Sequence, residues 1–83
     1  MNAAKKIRKY PNISFENVAK IRKDLGLTQE QLAEKTGLCR TFIAEIESGR
    51  KHPGVYSLAK IAIALEVKEE DLRTIKVPEK EED

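Results

Sequence analysis

Two side chains in this 83-residue sequence carry the soft, titratable chemistry used for metal binding and nucleophilic catalysis, Cys39 and His52, and there is one of each. A single thiol excludes an intrachain disulfide, and one thiol with one imidazole falls short of a structural zinc site. No Ser/His/Asp or Cys/His constellation, no phosphate-cradling glycine loop and no sheltered carboxylate pair accompanies them. Catalysis is therefore not expected, and neither is a metal, a cofactor or a small-molecule ligand. What remains is the chemistry of fixed charge. Lys5, Lys6, Arg8 and Lys9 open the chain with no acid among the first fifteen residues, and Arg50 and Lys51 form a second basic cluster. Residues 79–83 hold four acids and Lys80, so the rest of the chain carries 15 basic against 10 acidic residues. Such an excess suits a polyanionic partner or a solvated surface, and charge by itself does not decide between them.

Charged groups act only where a scaffold holds them, and this length allows one small core. Hydrophobic residues make up 40% and charged residues 36%, without Trp, which fits a helical domain built on Leu, Ile and Ala. No apolar run reaches membrane-spanning length, and the basic start is not followed by an apolar leader core, so a soluble, cytoplasmic chain without a membrane partner is expected. The organisation predicted is a basic leader over residues 1–13, one domain over 14–78 and a disordered acidic tail over 79–83.

Within the domain, Ser14 is the expected N-cap of a first helix over residues 15–25, with Val18, Ile21 and Leu25 on its apolar stripe. Gly26 suits its end. Thr28 with Gln31 three positions on forms a capping-box pair for a second helix over 29–35, stopped by Gly37. A tight linker then forces a steep crossing to a third helix over 40–47. That helix sets Phe42, Ile43 and Ile46 inward, and Arg40, Thr41, Ala44, Glu45 and Ser48 outward. Residues 50–54 form a basic, helix-incompatible loop. A fourth helix over 55–65 is expected to bury Val55, Leu58, Ile61, Ala62 and Leu65, and a short fifth runs over 69–75 before Pro78. No strand-like alternation is visible, and the class is all-α with five helices.

The stretch TQEQLAEKTGL, followed by IxxIExG and then SLxKIAxALxV, resembles the helix-turn-helix of the lambda-repressor-like (XRE) family over about residues 18–72. The resemblance implies a five-helix DNA-binding domain whose second and third helices form the helix-turn-helix, binding double-stranded DNA. It implies base contacts at Arg40, Thr41, Ala44 and Glu45. Arg40 can pair with guanine O6 and N7, and Thr41 can meet a thymine methyl or a phosphate; Glu45 can accept from a cytosine amine or stand at the groove edge and repel wrong sequences. Phosphate contacts are expected from Gln29, Ser48, Arg50, Lys51 and the amides near Val55. Arg22 and Glu47 match a buried ion pair of family members. Cys39 stands where Ser or Thr usually caps the third helix, at a cost of about 1 kcal/mol. That departure is either drift or a redox-sensitive thiolate.

Arg40-Thr41-Phe42-Ile43 also resembles the recognition helix of restriction-modification controller proteins, which commonly begins Arg-Thr-Tyr-Ile-Ser; Phe42, Ala44 and Ser48 depart from that pattern. The implied function is a transcriptional regulator acting as a homodimer on a pseudopalindromic operator, because one helix reads few base pairs. Tyr56, Ile63, Val67, Ile75 and Val77 are the candidate dimer residues. The alternative is a protein-interaction module of the same fold, of antitoxin or coactivator type.

Overall fold

The computed structural model describes residues 12–76. In chain order these form β1 (Asn12–Ser14), α1 (Glu16–Asp24), α2 (Gln29–Thr36), α3 (Arg40–Ser48), α4 (Val55–Leu65), α5 (Glu69–Leu72) and β2 (Thr74–Lys76). The basic leader through Pro11, Val77, Pro78 and the acidic tail lie outside the described residues.

Local chemistry explains the strongest boundaries. Thr28 Oγ1 accepts from the Gln31 amide at 3.0 Å while Gln31 Oε1 accepts from the Thr28 amide at 2.8 Å, so two of the orphan donors at the start of α2 are satisfied by side chains. Thr28→Ala is expected to remove one of them and cost about 1 kcal/mol. For a domain of this size that is a fall of roughly 4–8 °C in Tm, measurable by circular dichroism. At the other end of α2, Gly37 sits at φ 78°, a left-handed conformation that a Cβ would strain, and its amide closes on the Ala33 carbonyl at 2.8 Å. The buried Thr36 hydroxyl donates to the Leu32 carbonyl at 2.9 Å and accepts from the Leu38 amide at 3.2 Å, which fixes the turn between α2 and α3.

The core is shared by all five helices. Val18, Leu32, Ile43, Ile46, Ile61, Leu65 and Leu72 are almost completely shielded from solvent, with Phe15, Ala33, Leu58 and Ala62 buried around them. Each large apolar side chain contributes about 1.5–3 kcal/mol by leaving water.

Several expectations change. Ser14 does not cap from the expected position. Its hydroxyl accepts from the Glu16 amide at 3.2 Å, and the helix begins at Glu16, one residue later. Leu25 and Val55, both expected to face inward, are 52% and 81% exposed. Each lies at a helix end, where the apolar period points past the edge of the core. The buried position on α1 is taken instead by Arg22.

A short ribbon, which no alternation in the sequence signals, joins the five expected helices. α5 stops at Leu72, and Thr74–Lys76 turns extended and pairs antiparallel with Asn12–Ser14, in the register Asn12↔Lys76, Ile13↔Ile75 and Ser14↔Thr74. Asn12 and Ile13 thus lie in β1. The architecture is five helices with a two-stranded ribbon that ties the start of α1 to the segment after α5. Ile13 and Ile75 face each other on the ribbon and stay partly exposed, at 41% and 59%.

Candidate nucleic-acid interface

α3 carries its two faces as the residue types require: Ile43 and Ile46 are fully buried, Phe42 leans on the core, and Arg40, Thr41 and Ser48 are exposed. Ala44 and Glu45 are half-buried on the rim. Cys39 occupies the N-cap in an extended conformation, exposed, and its side chain makes no capping hydrogen bond. The first amides of α3 are thus left for solvent or a ligand.

What fixes this helix is a chain of hydrogen bonds that begins inside the domain and ends on its surface. Arg22 Nε donates to Glu47 Oε2 at 2.7 Å and Arg22 Nη2 to Glu47 Oε1 at 3.0 Å, a bidentate pair whose side chains are 9% and 7% exposed. The remaining Arg22 donor reaches the Leu27 carbonyl at 2.7 Å, which ties the α1–α2 turn to the same pair. The hydrogen bond to Glu47 raises the Arg22 pKa further above its ordinary value, against the opposing effect of burial, so the guanidinium keeps its charge. A raised pKa places the associated stability below the unfolded-state value, and it is lost only in strong alkali.

Gln29, at the first position of α2, extends the chain. Its Nε2 donates to Glu47 Oε1 at 2.9 Å, and its Oε1 accepts from Arg40 Nη1 at 3.3 Å. Arg22, Glu47, Gln29 and Arg40 therefore link α1, α2 and both ends of α3. An open cleft of about 590 Å³ between the starts of α2 and α3 is lined by Arg22, Gln29, Glu30 and Arg40, among others. The bridge adds to the phosphate role expected of Gln29. Its only sequence signal is an amide side chain directly after the Thr28 cap.

The second basic cluster is held as closely. Gly49 at φ 86° ends α3, after which the amides of Arg50 and Lys51 both donate to the Glu45 carbonyl, at 2.9 and 3.2 Å. Ser48 Oγ donates to the same carbonyl at 3.2 Å. Lys51 Nζ lies 3.5 Å from Glu45 Oε1, with the two side chains 57% and 29% exposed; such a surface pair contributes about 0.2–1 kcal/mol. His52 sets its ring edge-on to Phe15, centroids 5.3 Å apart, anchoring the loop to the start of α1. Neither contact was anticipated. α4 begins after Gly54 with no side-chain cap, with Val55 exposed at its first position, so its leading amides are open.

Of the candidate dimer residues, Tyr56, Ile63 and Ile75 are exposed, at 82%, 77% and 59%, whereas Val67 is partly buried against the core. Among the described residues, no cluster of three His, Cys, Asp or Glu could hold a metal ion, and no helix is long and apolar enough to cross a membrane.

Two successive helices packed on each other and joined by a short turn, the second exposed at its N-terminus, are the elements of a helix-turn-helix. The family model described as Helix-turn-helix matches residues 18–72, and the chain belongs to that family. It is a transcriptional regulator with a helix-turn-helix DNA-binding domain, and its named relatives are regulators rather than enzymes.

The relatives are specific. An HTH-type transcriptional regulator, y4dJ, of Sinorhizobium fredii is 36% identical over 58 residues, which is 70% of this chain and 75% of the relative. The immunity repressor of Bacillus phage phi105 is 44% identical over 50 residues, 60% of this chain but only 35% of that protein. Among solved structures, the restriction-modification controller protein C.AhdI from Aeromonas hydrophila superposes with a TM-score of 0.66 at 30% identity, covering 69% of this chain and 86% of that one. SinR of Bacillus subtilis, a master regulator for biofilm formation solved in complex with DNA, also gives 0.66, at 28% identity over 69% of this chain and 92% of that one.

Proposed function

We propose that this protein binds double-stranded DNA sequence-specifically as a two-fold dimer on a pseudopalindromic operator, with the start of α3 in the major groove. The observation that carries the reading is the run Arg22–Glu47–Gln29–Arg40, which ends on an exposed guanidinium beside Thr41 and Ala44. A guanidinium so held meets a guanine edge without first losing the freedom of a long side chain. Arg40, Thr41 and Ala44 are the base-facing residues. Gln29, Ser48, Arg50 and the open amides at Val55 face the phosphates on either side, and Lys51 stands beside them paired with Glu45.

Similarity to C.AhdI, together with the Arg40-Thr41-Phe42-Ile43 run, supports restriction-modification genes as the regulated set. Such a regulator works in the cytoplasm, with no cofactor.

The dimer uses the exposed apolar residues of α4 and the ribbon, Tyr56, Ile63 and Ile75, and Val67 and Val77 are proposed with them. Tyr56 and Ile63 lie two turns apart on one side of α4, which suits a self-complementary helix contact. Sedimentation of the wild-type chain is expected to give twice the monomer mass, and Ile63→Asp is expected to return it to monomer and weaken operator binding at least tenfold. A monomer at high micromolar concentration with and without DNA would contradict the dimer. Duplex affinity is expected to fall linearly on a log–log plot against salt. Salt-independent or absent duplex binding would favour the protein-interaction module instead.

A further inference from the structure

The contacts of Glu45 bear on how tightly any duplex is held, and the inference drawn from them rests on the DNA-binding reading above. Glu45 lies on the rim of α3, one turn beyond Thr41 and next to Ala44. A carboxylate there faces the same polyanion as Arg40. It is not free to do so alone, because the Lys51 ammonium lies 3.5 Å from its Oε1. The backbone enforces this meeting. The Glu45 carbonyl accepts both the Arg50 and the Lys51 amides, so the loop folds back over the last turn of α3. There the negative end of the helix also favours a cation. Lys51 is thus drawn to one place by a side chain, a carbonyl and a helix terminus.

We infer that Glu45 sets the protein's affinity for duplex DNA by holding Lys51 back from the phosphates, and does not read a base. Phosphate affinity is gained by cations that replace condensed counterions, each changing the log–log salt slope by about 0.9. A lysine paired to a neighbouring carboxylate replaces none until that pair is broken, and breaking it exposes the carboxylate to the phosphates. Glu45 and Lys51 therefore count as close to zero together, although Lys51 alone would count as one. Arg50, with no ion pair to Glu45, keeps its full contribution.

The test is the binding of a duplex of random sequence, followed by fluorescence anisotropy across roughly 50–200 mM salt, for the full chain and the variants Glu45→Gln, Lys51→Gln and the double substitution. Glu45→Gln is expected to bind more tightly and to steepen the slope by about 0.9, so that its advantage over wild type shrinks by about threefold across that range. Lys51→Gln is expected to change the slope little in the wild-type background and to remove the extra slope in the Glu45→Gln background. If Lys51→Gln flattens the slope equally in both backgrounds, Lys51 acts independently and the inference is overturned. It is likewise overturned if Glu45→Gln changes the preferred base at one position of selected duplexes. Wild-type protein that shows no salt-dependent duplex binding overturns the DNA-binding reading and this inference together, an outcome distinct from the other two.

Discussion

Glu47→Ala is expected to lose a large share of the domain's stability, about 3–5 kcal/mol, the usual cost of removing one partner from a buried ion pair. Glu47 accepts three hydrogen bonds, two from Arg22 and one from Gln29, with its side chain 7% exposed. Alanine leaves the Arg22 guanidinium shielded from water with only the Leu27 carbonyl as partner. A domain of this size has about 5–15 kcal/mol in total, so the variant is partly unfolded or melts roughly 10 °C or more lower. The loss measures an abandoned charge rather than the worth of the pair. Replacing Arg22 and Glu47 together by Met and Leu is accordingly expected to recover most of the Tm. A Glu47→Ala protein with unchanged melting would show that the pair does not hold α1 to α3.

The second large effect falls on recognition. Arg40→Ala is expected to cost about 1–3 kcal/mol at one base position while leaving the melting temperature near that of wild type. Arg40 is exposed, and its side chain meets the rest of the domain through the long 3.3 Å bond to Gln29 Oε1. Truncation therefore removes little from the free protein and a bidentate contact from the complex. Gln29→Ala separates positioning from reading: it leaves the guanidinium present but unsupported, and a smaller loss at the same base position is expected, on top of a uniform weakening from the lost phosphate contact. Uniform weakening at every position by Arg40→Ala would instead make Arg40 a phosphate contact.

Much of this arrangement is legible in the sequence, because α2, α3 and α4 announce themselves locally. Thr28 with Gln31, the glycines at 37 and 49, and the spacing of Ile43, Ile46, Leu58, Ile61 and Leu65 give each helix to within a residue or two at each end. The ribbon was not legible. Strands of three residues are too short to show a period of two, and Ser14 and Thr74 pair across the whole domain, so no local pattern reports it. Leu25 and Val55 misled for the opposite reason, since each continues an apolar stripe beyond the edge of the core it would pack on.

At the interface, residue types were readable and partners were not. An arginine at the start of α3 can be assigned a role from its chemistry. That Gln29 would bridge it to Glu47, or that Lys51 would fold back on Glu45, depends on where the turns bring side chains separated by several residues or by a whole helix. The C-terminal end of α4 is of the same kind: Glu66 takes φ 60°, a conformation its residue type disfavours, where the Val67 amide closes on the Ala62 carbonyl.

The central claim, that α3 reads base edges in the major groove from a two-fold dimer, is tested most directly by selecting bound duplexes from a random pool with wild-type protein and with Arg40→Ala. The expected result is a pair of inverted half-sites at fixed spacing, centred about one helical turn or a multiple of it apart, in which the Arg40→Ala pool loses preference at one symmetric base position alone. A wild-type pool with no enriched sequence, or identical sequences from both proteins, would contradict it.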